Sequence, residues 1–162
     1  MTAQIHENLI LDGERTSMAF CPPLPENHPR IVGVGFEEAI RSSRWVFSTA
    51  CWRNYVGTWE IRGGRFYLVS LGGTRKLLGS EPLLANWFSG VLRIPRGEVL
   101  LYVHMGFGSV FEEELHVRVY KGSVLKSRVI DNRRKRHDEG SLSWNNYPGS
   151  YNRFPGDDDV YW

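Results

Sequence analysis

From Tyr55 to Leu71 the chain reads YVGTWEIRGGRFYLVSL, two runs of alternating apolar and polar residues around Gly63-Gly64. A Gly-Gly loop between runs rich in β-branched and aromatic residues favours the primed turns whose twist matches that of paired strands. With those glycines as the loop, Arg62 faces Arg65, Ile61 faces Phe66, Glu60 faces Tyr67 and Trp59 faces Leu68. Side-chain alternation then places Trp59, Ile61, Phe66 and Leu68 on a buried face. Thr58, Glu60, Arg62, Arg65 and Tyr67 fall on the opposite, wet or functional face.

The same period recurs along the chain. Asn8 to Met18, NLIL-DG-ERTSM, predicts a hairpin turning at Asp12-Gly13. Cys21 to Arg30 carries four prolines and predicts an extended connector, because proline cannot donate to a ladder. In Phe36 to Trp45, FEEAIRSSRW, the residues Phe36, Ala39 and Ile40 share a stripe at helical spacing, with Glu37 and Glu38 at the favourable N-terminal end. One short helix is expected there. Gly72 to Pro82 reads as a loop anchored by Leu77-Leu78.

Asn86 to Ile94 and Glu98 to Met105 predict a strand pair turning at Pro95-Arg96-Gly97. Apolar residues on both parities of the first arm imply burial on both sides and a central position. After the flexible GFGS at Gly106 to Ser109, Val110 to Tyr120 and Val124 to Ile130 predict a further hairpin around Lys121-Gly122-Ser123. The expected fold is mainly β: an antiparallel meander of about eight strands forming a curved sheet or barrel with one short helix, or alternatively a β-sandwich.

Composition narrows this picture only slightly. At 162 residues the chain fits a single domain able to bury roughly 70% of its unfolded surface, so no metal or cofactor is required for folding. Aromatic residues at 13% together with 17 glycines favour strands and tight turns. A net charge of +2 gives too weak a field to steer nucleic acid or membrane binding by the molecule as a whole. Cys21 and Cys51 have no metal-site or disulfide-framework spacing, and no apolar run reaches the length of a membrane span. Both predict a cytoplasmic protein with free thiols.

Residues 1–130 form the expected β domain, and 131–162 an irregular charged and aromatic extension. Disordered segments are ordinarily poor in aromatics. Trp144, Tyr147 and Tyr151, with Asp157, Asp158 and Asp159 beyond them, therefore predict a segment that docks on its own domain or on a partner, and they are candidate binding residues.

Candidate chemistry is sparse. The five histidines lie on different elements without metal-ligand spacing, so no metal is expected. Cys51 or Ser48 with His104 would supply a nucleophile and base, but neither sits in a nucleophile-elbow or protease signature. Glu60 with Glu112, Glu113 and Glu114 offers carboxylates of the kind glycoside hydrolysis uses, against the ordinary role of charges on a wet strand face. Gly72-Gly73-Thr74-Arg75-Lys76 lacks the phosphate-loop spacing. Ser48 to Tyr55, STACWRNY, is denser in binding-type residues: Trp52, Arg53 and Tyr55 are of the types enriched at hot spots, and Arg53 has the fork to hold a carboxylate or phosphate. The structural alternative has Trp52 and Tyr55 capping the barrel and Arg53 paired with Glu60 or Glu98.

Gly57-Thr58-Trp59 resembles the glycine-x-tryptophan opening strand of lipocalins, in which an arginine of the last strand stacks on the indole. Here it lies a third of the way along the chain, and Arg128 is the corresponding candidate. LILDGERTSMA, STACWRNYVGTWEIRGGRFYLV and WFSGVLRIPRGEVLLYVHMGFGSVFEEEL together resemble a family of small uncharacterised bacterial proteins over about Leu9 to Leu115. That resemblance implies a bacterial protein and no particular activity.

Three functions are compatible with these features. The first is a non-catalytic binder of a protein partner, such as a toxin-neutralising immunity protein. The second is a calycin-like barrel holding a small ligand among Trp59, Trp87, Tyr102 and Arg53. The least expected is single-stranded nucleic-acid binding through exposed aromatics and Arg133 to Arg136, whose mark would be steep salt dependence.

Overall fold

The computed structural model describes residues 2–43, 47–104 and 106–133. Along the chain run β1 (Glu7–Leu11), β2 (Glu14–Met18), β3 (Ile31–Gly33), α1 (Phe36–Ser42), β4 (Tyr55–Arg62), β5 (Arg65–Gly73), β6 (Arg75–Leu77), β7 (Leu83–Leu84), β8 (Gly90–Leu101), β9 (Val110–Tyr120) and β10 (Ser123–Asp131). The protein is mainly β, as its patterning predicts, with one short helix among the described residues.

The central hairpin has the expected register from Arg62 opposite Arg65 to Trp59 opposite Leu68. Gly63 and Gly64 have φ of 58° and 73°, the left-handed backbone that a primed two-residue turn requires. Trp59, Ile61, Phe66 and Leu68 are all buried. Beyond Trp59 the pairing shifts by one residue at a bulge, so that Thr58 faces Ser70 and Val56 faces Gly72. The hairpins β1–β2 and β9–β10 also form where Asp12-Gly13 and Lys121-Gly122 place them.

The strands follow the order β2-β1-β4-β5-β10-β9-β8 in one mixed sheet, with β7 also on β5 and with β3 and β6 paired separately. It is not a meander throughout, because β1 lies parallel to β4, with Asn8 beside Thr58 and Leu9 beside Trp59. Between β5 and β10 the paired residues are Arg65 and Ser123, where the two hairpin turns meet. The sheet folds over at that corner. Leu9, Met18, Trp59, Phe66 and Leu68 of one half then pack against Leu92, Ile94, Leu115, Val117 and Val119 of the other, with Phe20 and Phe88 between them. The outer strands meet where the Ala19 N–H donates to the Arg93 carbonyl at 2.9 Å, without closing a ladder among the described residues.

Three local expectations are corrected. Pro95-Arg96-Gly97 is no turn: it lies inside β8, where the ladder with β9 becomes irregular between Arg96 and Val99. β8 is the last strand of the sheet rather than a central one, so a residue lacking an N–H is tolerated there. Val91 to Ile94 are nevertheless buried on both faces, because the chain around Gly106 to Ser109 and the N-terminal segment cover the outer face: Arg93 donates to the Ser109 carbonyl at 2.8 Å, and the Gln4 N–H to the Gly106 carbonyl at 2.8 Å. Finally, α1 buries only Ala39 of its stripe and leaves Phe36 66% and Ile40 46% exposed.

Candidate functional site

The Ser48–Tyr55 segment enters β4 with Arg53 turned inward. Its Nε donates to Glu7 Oε1 at 2.8 Å and its Nη2 to the Ile5 carbonyl at 3.0 Å, with a further bond from Nη2 to Glu7 Oε1. Glu7 Oε2 accepts from the Gly57 N–H and the Trp59 indole N–H, both at 2.8 Å. Glu7 is completely buried, and the space above Gly57 is filled by the Glu7 carboxylate and the Trp59 ring, leaving no room for a Cβ. Burial pushes the Glu7 carboxyl up, against the pull of the Arg53 guanidinium and these hydrogen bonds. Arg53, the Gly57 N–H and the Trp59 indole all donate to its oxygens, so the carboxylate is the form this geometry satisfies. Arg53 thus pairs with neither Glu60 nor Glu98, and its fork is spent inside the fold. It also supplies the arginine linked to Gly57-Thr58-Trp59, through Glu7, while Arg128 lies opposite His116 in the β9–β10 ladder.

The neighbouring nucleophiles are quiet. Cys21 and Cys51 are free and buried. Burial, reinforced by the nearby Glu7 charge, pushes the Cys21 thiol up to about 12, and burial also raises Cys51. The Tyr55 hydroxyl, raised by burial, lies 3.5 Å from Cys21 Sγ, and the Cys51 thiol donates to the Tyr55 carbonyl at 3.4 Å. A thiol that stays protonated is a poor nucleophile. His104, the base considered for Cys51 or Ser48, is exposed and bonded to the Tyr102 hydroxyl at 3.0 Å.

The remaining candidates are dispersed. Trp52 is 54% exposed, with its backbone N–H held by Gln4 Oε1 at 2.8 Å. Glu60 and Tyr67 face each other across the hairpin beside Arg62, whose guanidinium lies 3.7 Å from Glu60 and over the Tyr67 ring. Glu112 and Glu113 pair with Arg133, while Glu114 is buried with Arg93 and, at 3.1 Å, His116. Burial alone would raise Glu114, yet the hydrogen bonds from His116 and Arg93 hold it down at about 2. The proposed interior cavity does not form from its four named residues: Trp59 stacks on Phe66 within the core, the Trp87 indole donates to the Pro23 carbonyl at 2.8 Å, Tyr102 is exposed and Arg53 belongs to Glu7. Trp144, Tyr147, Tyr151, Asp157, Asp158 and Asp159 lie outside the described residues, as do Arg134 to Arg136.

Two features leave little mark on the hydrophobic pattern. One is Glu7 itself, for which the available signal was its sharing the parity of Leu9 and Leu11. The other is a groove of about 460 Å3 on the outer face of β1, β4 and β5, lined by His6, Asn8, Thr58, Ser70 and the end of α1. At its edge His6 Nδ1 lies 3.0 Å from Ser17 Oγ, and the ring contacts Phe107 and Phe111. Burial, then the Arg93 and Arg53 charges, lower His6 from its ordinary 6.5 to about 4. Between those values the unfolded chain takes up a proton that the folded chain refuses, so His6 makes stability fall as pH drops from 6.5 to 4. Urea unfolding across that range should show a smaller acid loss for His6→Gln than for the parent protein. Parallel curves would contradict the assignment.

Comparison with family models, with curated proteins and with solved structures found no match. Among the described residues no cluster of histidine, cysteine or carboxylate groups is placed to hold a metal, and no helix is long and apolar enough to cross a membrane.

Proposed function

We propose that this chain is a non-catalytic binding protein whose partner is another protein, of the kind that neutralises a toxin or enzyme by covering it. The observation that carries this reading is the exposed apolar surface at α1. Phe36 stacks on Phe47 at 5.0 Å between ring centroids, Ile40 lies one turn along from Phe36, and Phe47 is 52% exposed. Around this centre the polar groups pair with one another, Arg41 with Glu37 at 3.5 Å and Lys76 with Glu38 at 3.1 Å. An apolar aromatic centre within a polar rim is the anatomy of a protein interface. The protonated thiols and the structural use of Arg53 and Glu114 favour binding over catalysis. The stacking of Trp59 on Phe66 and the pairing of Arg53 with Glu7 favour a surface partner over a ligand enclosed by these residues.

Paired replacement of Phe36→Ser and Phe47→Ser tests the reading. Both side chains are mostly exposed, so unfolding should shift little. The tagged parent protein should recover a stoichiometric protein from cells of its own source, and the variant should not. Equal recovery by both would overturn the assignment of this surface, and recovery of no protein by the parent would overturn the function.

A further inference from the structure

The bulge in the β4–β5 ladder determines what the groove on the outer face contains. Had the register of the hairpin tip continued, Thr58 would oppose Val69 and Val56 would oppose Leu71. The shift instead sets Ser70 opposite Thr58 and Gly72 opposite Val56. The parallel β1 adds Asn8 beside Thr58. Asn8, Thr58 and Ser70 thus form a row across neighbouring strands, spaced by the roughly 4.8 Å of a sheet. The next row holds His6, Val56 and Gly72, and Ser42 and Ser43 at the end of α1 close the side. A Cβ on Gly72 would come within 3.1 Å of the Ser42 carbonyl oxygen, so the glycine is what lets α1 approach. Bulges occur preferentially where a fold must re-aim side chains, functional sites included.

The hydrogen-bonding groups of this groove are largely unspent. Ser42 Oγ is used, donating to the Ala39 carbonyl at 3.0 Å and accepting from the Gly73 N–H at 2.8 Å. The side chains of Asn8, Ser43, Thr58 and Ser70 make no hydrogen bond to another described residue, in contrast to the saturated Glu7 and Glu114 networks. Among the described residues no lysine, arginine or carboxylate lines the groove, and Ile5 and Val56 contribute methyl groups beside the hydroxyls.

This combination selects a ligand chemistry. A charged ligand would lose hydration without gaining a counter-charge, and an apolar one would bury the amide and hydroxyl groups without partners. A peptide strand adds through free backbone groups at a sheet edge, whereas this groove lies on a sheet face whose strands are already paired. We infer that the groove formed by Asn8, Thr58, Ser70 and Ser43 binds a small neutral polyhydroxy ligand of the saccharide class. Its hydroxyl rim meets the Asn–Thr–Ser row, and its C–H face meets Val56 and Ile5. The volume lies within the roughly 300–1,000 Å3 of small-molecule sites. The groove uses Ser42 and Ser43 at the end of α1, and none of Phe36, Ile40 and Phe47 of the apolar surface lines it.

Amide shift mapping on the full chain tests the inference, with glucose, galactose, N-acetylglucosamine and maltose as probes and galacturonate and cyclohexanol as charged and apolar controls. At about 10 mM, enough to saturate a millimolar site, at least one neutral sugar should perturb Asn8, Thr58 and Ser70 together. Thr58→Val and Ser70→Ala should each weaken that binding about threefold to tenfold, the effect of one hydrogen bond, with unfolding temperatures close to the parent's. If either variant fails to fold, the shift map of the parent decides alone. No perturbation by any sugar, perturbation elsewhere, equal binding of a control, or folded variants that bind as the parent does would each overturn the inference.

Discussion

Replacing Glu7 by Ala should destabilise the protein by about 3–5 kcal/mol, the cost of breaking a buried ion pair from one side. The substitution leaves the Arg53 guanidinium enclosed without its counter-charge and removes the acceptor of the Gly57 and Trp59 N–H groups. A loss of that size is a large share of the roughly 5–15 kcal/mol that holds a domain folded. The double variant Glu7→Leu with Arg53→Met removes both charges and should recover much of the loss, since apolar replacement of a whole buried pair is often near neutral. Urea unfolding of the two variants beside the parent distinguishes the cases. A single variant within about 1 kcal/mol of the parent, less than even one orphaned buried group ordinarily costs, would mean that Glu7 does not organise this end of the fold.

Trp59→Ala should cost a similar amount, about 3–5 kcal/mol, for a different reason. The indole is fully buried and stacked on Phe66 at 5.1 Å with 9° between the rings, where the two halves of the folded sheet meet. Its truncation opens a cavity that Phe66, Leu9 and Leu68, fixed by their own strands, cannot close. Trp59→Phe keeps most of the volume but loses the hydrogen bond to Glu7, so it should fall between the parent and Trp59→Ala. Thermal unfolding of the three proteins gives the order, and an alanine variant as stable as the phenylalanine variant would contradict it.

The parts of the fold legible in the sequence are those whose cause is local. The register around Gly63-Gly64 follows from turn geometry and alternation within a dozen residues, and the structure reproduces it from Arg62 to Trp59. The bulge beyond Trp59 leaves no such mark, because Thr58, Val69 and Ser70 are all acceptable strand residues in either register. The parallel pairing of β1 with β4 is equally silent, since both strands already have a hairpin partner and their contact joins positions about fifty residues apart. Pro95-Arg96-Gly97 carries turn chemistry, but the edge position of β8 absorbs it within a strand.

The candidate site divides in the same way. Trp52, a candidate by its residue type, stands exposed, whereas Arg53 beside it points inward to a glutamate that no motif connects to it. The stripe of Phe36, Ala39 and Ile40 was legible as a helix. Which side of that helix meets the sheet depends on β5, where Gly72 makes room for its last turn, and only Ala39 ends up buried. Phe36 and Ile40 are thereby left outward, which is the basis of the functional reading.

That reading is tested most directly by hydrogen exchange of the protein free and in complex with the partner it recovers. Bound protein should show slowed exchange at the amides of α1 and of Phe47 to Arg53, with little change along β9 and β10. Protection confined to β9 and β10, with α1 exchanging as in the free protein, would contradict it.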